Sequence, residues 1–234
     1  MASSRRRGPR QRLDIDQLVE VAIGLADSDG LDAVTMRRVA QELRVSPMSL
    51  YTYVPGKAEL LDLMLDTVYQ RMPRRTPADQ TWRGRLEAVA HDNRELSQRH
   101  PWVAEVGTSR PPLGPGLMAK YEYELRALDG AGLDDVERDA ALTYLLGFVA
   151  SCARAATDAR AARHESAMSD EQWWAANQPL LARMFDATAY PTAARVGSAA
   201  GEAHGAAYSP DHAYEFGLRR VLDGLGVLIE SRGG

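Results

Sequence analysis

Residues 45–61, VSPMSLYTYVPGKAELL, decide the fold, because they read as a short helix with its own start signals and an outward-facing load. Ser46 suits the cap position, where a hydroxyl accepts a bond from an otherwise unpaired first-turn N–H. Pro47 suits the first helical position, which needs no donor and wants a φ that proline already has. Val45 before the cap and Leu50 in the second turn have the spacing of a hydrophobic staple. Met48, Ser49, Tyr51, Thr52 and Tyr53 are then left free of any core. A helix this short is marginal alone. Its neighbours must hold it in place, and its free side chains are of the kind that enter a nucleic-acid groove.

Working outward, Ile15, Leu18, Val19, Ala22, Ile23 and Ala26 follow the one-face helical template. Asp14 and Gln17 form a capping pattern ahead of them, and Gly30 stops the helix. Thr35 caps a second helix with Met36, Val39, Ala40 and Leu43 inward, and Arg44-Val45 make a tight turn into the Ser46 helix. Helix, short turn and short helix at this spacing predict a helix-turn-helix. A longer helix from Lys57 to Met72 follows, ended by Pro73 and Pro77. Further amphipathic segments run over Asp79–Gln98, Pro115–Leu128, Leu133–Ala162, Asp170–Thr188 and Asp211–Ser231. Ser169 and Gln172 repeat the capping box. Residues 191–209, rich in Gly, Ala and Ser, read as a mobile loop. With no period-2 strand, the expectation is an all-α protein. It divides into a basic arm (1–12), a helix-turn-helix domain with its connecting helix (13–73) and a larger helical domain (74–234).

Net charge is −4 over 234 residues, but unevenly spread. Arg5, Arg6, Arg7, Arg10 and Arg12 put five positive charges before the first acid, leaving 23 basic against 32 acidic residues elsewhere. A basic arm on an acidic body suggests a phosphate-seeking end joined to a domain with another task, a solvated tail being the alternative. The single cysteine, Cys152, excludes an internal disulfide or a CxxC motif, and in an apolar helix it reads as an inert core thiol. His91, His100, His164, His204 and His212 show no metal spacing, so neither metal nor cofactor is expected. No apolar run in the sequence reads as membrane-spanning, and residues 1–10 lack the apolar core of a signal peptide, which suggests a cytoplasmic protein without a membrane partner.

The stretch TMRRVAQELRVSPMSLYTYVPGKAELLDLML, residues 35–65, resembles the tetracycline-repressor (TetR) family of bacterial regulators. The family pattern is T-x-x-x-[LV]-A-x-x-L-x-V-S, then x-x-[LS]-L-Y-x-[YH]-[VF], then K-x-x-L-L. Arg44 stands where the family usually has a turn glycine, which predicts a strained positive φ. VGTSRPP around Gly107 and YEFGLRRVLDGL near the end resemble the C-terminal domain type of the founding repressor.

This resemblance implies a homodimer that binds a palindromic DNA operator and is released by a small-molecule effector. It places Pro47, Met48 and Ser49 against bases, with Arg37 on a phosphate or guanine. Tyr51, Thr52, Tyr53 and Lys57 fall beside backbone phosphates, Tyr53 having partial burial as its alternative. Leu50 and Val54 belong to the core. The arm would lie in a minor groove. Small residues along Val136–Cys152 and Tyr214–Ile229 suit a four-helix dimer interface or an internal core. Effector candidates are the aromatic and polar residues of inward helical faces: Trp82, Asn93, Trp102, Glu105, Arg110, Tyr144, Phe148, Trp173 and Met184, although Trp and Met at helical spacing more often belong to a core, the favoured reading for each aromatic. Glu105 stands roughly where the founding repressor has its magnesium-ligating histidine, and a buried glutamate there would favour a cationic or hydroxyl-bearing ligand. The rival readings are an enzyme, for which no catalytic motif is visible, an effector-independent architectural protein, and an activator of the same family.

Overall fold

Start and stop signals account for most of the helix ends. The computed structural model describes residues 13–77, 79–106, 112–206 and 208–232. The five arm arginines and Arg110 lie outside them, and among the described residues there is no strand. Helix α1 spans Ile15–Asp29, begins where the Asp14 carboxylate accepts the Asp16 N–H, and closes at Gly30 with φ 82°. Helix α2 spans Met36–Glu42, with Thr35 Oγ1 accepting the Arg38 N–H at 3.2 Å. Helix α3, Pro47–Leu50, is a single turn, and α4 covers Lys57–Arg71. The Ser46 hydroxyl makes no capping bond, contrary to expectation. Its carbonyl takes the Ser49 N–H at 2.8 Å instead, and Pro47 supplies the helical start.

Arg44 has φ 55°, as the missing turn glycine predicts. A side chain in this left-handed conformation costs energy that glycine avoids. Arg44→Gly therefore raises stability by about 0.5–1 kcal/mol in urea unfolding, part of the gain being offset by the freer unfolded chain.

The chain forms two compact units. The first joins residues 1–73 to Val106–Glu122, and the second joins Arg74–Glu105 to Tyr123–Gly234. The segment Val106–Glu122 thus groups with the helix-turn-helix rather than with the body to which the sequence boundary at 73/74 assigns it. The cause is a close approach between α4 and helix α6, Pro115–Arg126. A Cβ on Gly116 would lie 2.0 Å from the Asp66 carbonyl oxygen and 2.9 Å from the Gln70 nitrogen. The Asp66 carboxylate accepts the Leu117 N–H at 2.9 Å, and the Lys120 ammonium lies 5.3 Å from the Tyr69 ring centroid. Leu18, Val19, Leu50, Val54, Leu60, Met64 and Leu65 fill the core of this unit.

In the second unit α5 covers Trp82–Arg99, α7 Asp135–Ser166, α8 Asp170–Met184, α9 Pro191–His204 and α10 Pro210–Glu230. The Ser169–Gln172 capping box forms on α8, and Asp134 with Glu137 makes another on α7, whereas Asp14 caps α1 through the Asp16 N–H without a reciprocal Gln17 bond. Leu86, Val89, Leu142, Leu145, Val149, Tyr214, Leu218, Leu222 and Leu225 make a shared core of α5, α7 and α10. Residues 191–204 are helical, not a loop. Pro191 sits in the first turn, alanines dominate the interior, and Gly205 with φ 64° ends it, which outweighs the cost of Gly197 and Gly201. As one continuous 32-residue helix, α7 is also long and apolar enough by length and composition to cross a membrane, although no run in the sequence reads so. Four of its apolar residues are spent on the core, Ala141, Leu142, Leu145 and Val149.

A polar latch ties the start of this unit to α5. Asp92 is 1% exposed; the Tyr123 hydroxyl shares its proton between Asp92 Oδ2 at 2.9 Å and the Arg75 carbonyl at 3.0 Å. Arg75 Nη1 faces Asp92 Oδ1 at 3.2 Å in poor hydrogen-bond geometry. Burial, then the bond to Asp92, pushes the Tyr123 phenol up to about 12. The fold therefore favours the neutral phenol. This contribution is complete below about pH 10, where an unfolded tyrosine ionises, and is lost as pH rises towards 12. Tyr123→Phe leaves a buried carboxylate short of a donor and costs about 1–3 kcal/mol at neutral pH. Alkaline unfolding of both proteins checks this, the gap between them closing above pH 10.

Candidate DNA-reading helix and the cavity of the second unit

The turn at Arg44 and the one-turn α3 leave most of the expected contact residues at the surface. Met48 is 73% exposed, Tyr51 47% and Tyr53 37%. Arg37, Pro47 and Thr52 are exposed too, and Ser49 is half-buried. Arg37 has no ion-pair partner among the described residues, whereas its neighbour Arg38 pairs with Asp29 at 2.5 Å. Leu50 and Val54 are buried and anchor the helix from below, as their place in the pattern predicts. An exposed methionine and two exposed tyrosines therefore share one anchored turn, where a partner surface can reach them together. Lys57 is half-buried, with Nζ donating to the Leu31 carbonyl at 3.2 Å. That bond steadies the turn before α2 and occupies one of the three ammonium donors, leaving two for a phosphate.

The second unit contains a cavity of about 320 Å³ between α5, the C-terminal half of α7 and the start of α10. Its wall includes Arg94, Arg160, Arg163, Asp170, Asp211, Cys152, His204, Tyr208 and Tyr214. Arg94 ion-pairs with Asp211 and lays its guanidinium 4.1 Å from the Tyr214 ring centroid; Arg163 pairs with Asp170 at 3.3 Å. Tyr214 is 1% exposed and its hydroxyl has no hydrogen-bond partner. Burial raises the Tyr214 and Tyr208 phenols and the Cys152 thiol, so all three stay protonated at neutral pH.

None of the described effector candidates chosen from sequence is in this wall. Trp102 is a core residue, packed edge-on to His100. Asn93 is buried, and its amide is taken up by the Val89 carbonyl at 2.9 Å and Glu124 at 2.6 Å. Trp82 and Phe148 pack against the core, Phe148 stacked on Tyr214 from outside the wall. Tyr144, Trp173 and Met184 are exposed. Glu105 is exposed as well, at the end of the short turn Pro101–Ala104, so the expectation of a buried carboxylate steering a cationic ligand fails. Arg110 lies outside the described residues. The wall residues were readable in one respect only. Cys152, Ala156, Arg160 and Arg163 recur at the spacing of one helical face, but the opposite wall comes from residues 204–214, much of which reads as loop.

Comparison with known proteins finds two family matches along the chain. Residues 18–64 match the family described as bacterial regulatory proteins, tetR family, and residues 75–229 match the tetracyclin repressor-like C-terminal domain. The chain belongs to the TetR family of bacterial regulators. Among its relatives is the HTH-type transcriptional repressor DrrR1 of Streptomyces coeruleorubidus, 42% identical over 97% of this chain and 83% of that protein. The structure of ActR from Streptomyces coelicolor in complex with actinorhodin is similar with a TM-score of 0.75. That likeness has 28% identity and covers 92% of this chain and 96% of ActR. Apo ActR aligns with a TM-score of 0.73 at 27% identity, over 94% of this chain and 97% of ActR.

Proposed function

We propose that the protein is a homodimeric transcriptional repressor in the cytoplasm, held on a palindromic operator by α3 and released by a small molecule bound in the second unit. The observation that carries this reading is the anchored, outward-facing α3 in a chain similar to a transcriptional repressor over nearly its whole length. Met48, Pro47 and Ser49 read base edges, while Arg37, Tyr51, Thr52, Tyr53 and Lys57 fix the register through phosphates. The arm adds minor-groove contacts and salt dependence.

Support for the dimer comes from what α7 and α10 leave unpacked. On α7, Val136, Ala140, Tyr144 and Gly147 recur at helical spacing and are exposed; on α10, Phe216, Gly224 and Val227 do the same. A Cβ at Gly147 or Gly224 would meet nothing within 4 Å, so a second copy could approach closely. Release requires effector and operator to prefer different conformations. The α4–α6 contact at Gly116 suits the task of carrying the change. It touches the helix that follows α3, and α6 runs on into the second unit. Shifted reading heads lose the spacing of about 34–36 Å between successive major grooves. Binding of the full-length protein to its own upstream DNA against a scrambled duplex tests the reading, with light scattering for the dimer.

A further inference from the structure

Helix α2 ends in a double backbone closure that holds Arg44 in place. The Val45 N–H donates back to the Ala40 carbonyl at 3.0 Å, and the Arg44 N–H donates to the Gln41 carbonyl at 3.0 Å. These two bonds make a Schellman ending, which needs a left-handed residue just after the cap Leu43, where helices usually place glycine. Arg44 meets that need with φ 55°, at a cost that glycine avoids. Strain alone assigns no role. Ala167, the other non-glycine residue with positive φ among the described residues, has only a methyl group to offer. At Arg44 the strained backbone carries an exposed guanidinium that makes no hydrogen bond or ion pair among the described residues. It donates to none of the last α2 carbonyls, so capping does not account for it. Neighbouring cations are already engaged, Arg38 with Asp29 and Lys57 with the Leu31 carbonyl. Strained positions of this kind persist where the side chain has a task.

We propose that Arg44 is a DNA-contacting residue, its guanidinium paired with a backbone phosphate at the edge of the groove that α3 enters. This rests on the reading of α3 as the DNA-reading helix. Only Val45 and Ser46 separate Arg44 from Pro47, the first residue of α3, and the first turn of such a helix is the part that meets the bases. Phosphates line both edges of the groove, so a long cation on the turn leading into that helix lies against one of them. The planar guanidinium fork matches two phosphate oxygens at once. Glycine at this position would leave the turn intact and offer the DNA no charge. Arginine therefore lowers stability and raises affinity, a common compromise at functional positions.

The test measures affinity of the full-length protein, Arg44→Gly and Arg44→Lys for two duplexes, the upstream DNA and a scrambled one, between about 50 and 200 mM salt. Urea unfolding of the same samples shows that weaker binding is not loss of fold. The expected result is an Arg44→Gly protein at least as stable as wild type that binds both duplexes about tenfold more weakly at physiological salt. Its slope of log affinity against log salt is shallower by about 0.9, the share of one phosphate contact, and Arg44→Lys restores that slope. Unchanged affinity and slope in Arg44→Gly, or a slope that Arg44→Lys does not restore, would overturn the proposal. So would a loss confined to the upstream duplex with the slope unchanged, which belongs to a base contact. The two readings fail separately. Wild type that binds both duplexes alike, with a shallower slope in Arg44→Gly, sinks the operator-specific repressor and leaves the phosphate contact standing. Wild type that selects its own DNA, with the slope unmoved in Arg44→Gly, keeps the repressor and loses the contact. No binding to either duplex overturns both.

Discussion

Met48→Asp abolishes specific DNA binding and leaves the fold intact. Met48 is 73% exposed and sits in the first turn of α3. Its removal therefore exposes no core and creates no cavity. If α3 enters a major groove, a carboxylate at this position meets base-edge acceptors and flanking phosphates, and like charge in such an interface costs several kcal/mol. A loss of at least about a hundredfold in operator affinity follows, with the unfolding midpoint unchanged. Met48→Leu keeps the apolar contact and stays near wild type. Electrophoretic mobility shift with denaturant unfolding on the same samples checks both halves. Equal affinity of Met48→Asp and wild type would remove α3 from the interface.

The second large effect belongs to Gly116→Val. The Cβ alone would sit 2.0 Å from the Asp66 carbonyl oxygen, a backbone atom that no rotamer change can move, and the branched methyls add to the clash. The α4–α6 contact must open, and with it the Leu117 N–H to Asp66 bond is lost. Overpacking of this kind costs about 1–3 kcal/mol, here joined by an unsatisfied carboxylate. If the contact carries the effector signal, the variant still binds operator DNA but is released poorly or not at all by a compound that releases wild type. Ala131, a buried residue of the second unit outside the cavity wall, provides the control. Ala131→Val should lose stability with the response preserved. Stability measured by urea unfolding, alongside release measured by fluorescence anisotropy of labelled DNA, separates the two.

Much of the first unit was legible in the sequence because its determinants are local. Asp14, Thr35, Pro47 and Gly30 act on the turn they occupy, and each stands at the boundary it signals. The strain at Arg44 was legible for the same reason, since a turn geometry constrains one residue's φ. The Ser46 cap was not, because a hydroxyl bond depends on a rotamer that the sequence does not show. Helix α9 was obscured by composition. Its glycines read as a loop, although its alanines and its proline start favour a helix more strongly.

The cavity escaped for a different reason. Residue type leaves an aromatic open to a core or an effector role, and which one a tryptophan serves depends on which helix lies opposite. Trp102 faces the core and Trp173 lies at the surface. The wall was instead built from arginines and tyrosines on α5, α7 and α10, whose meeting is a property of tertiary packing. Nothing in the spacing of Arg94, Arg160 and Tyr214 along the chain announces it.

The most direct test is binding of the purified protein to the DNA upstream of its own coding sequence, against a scrambled duplex at physiological salt, with and without a library of small molecules. The expected result is a strong preference for its own DNA, two subunits per palindrome, and loss of that preference on addition of one compound. Equal affinity for both duplexes, unaltered by every compound, would contradict a ligand-released repressor acting at its own promoter.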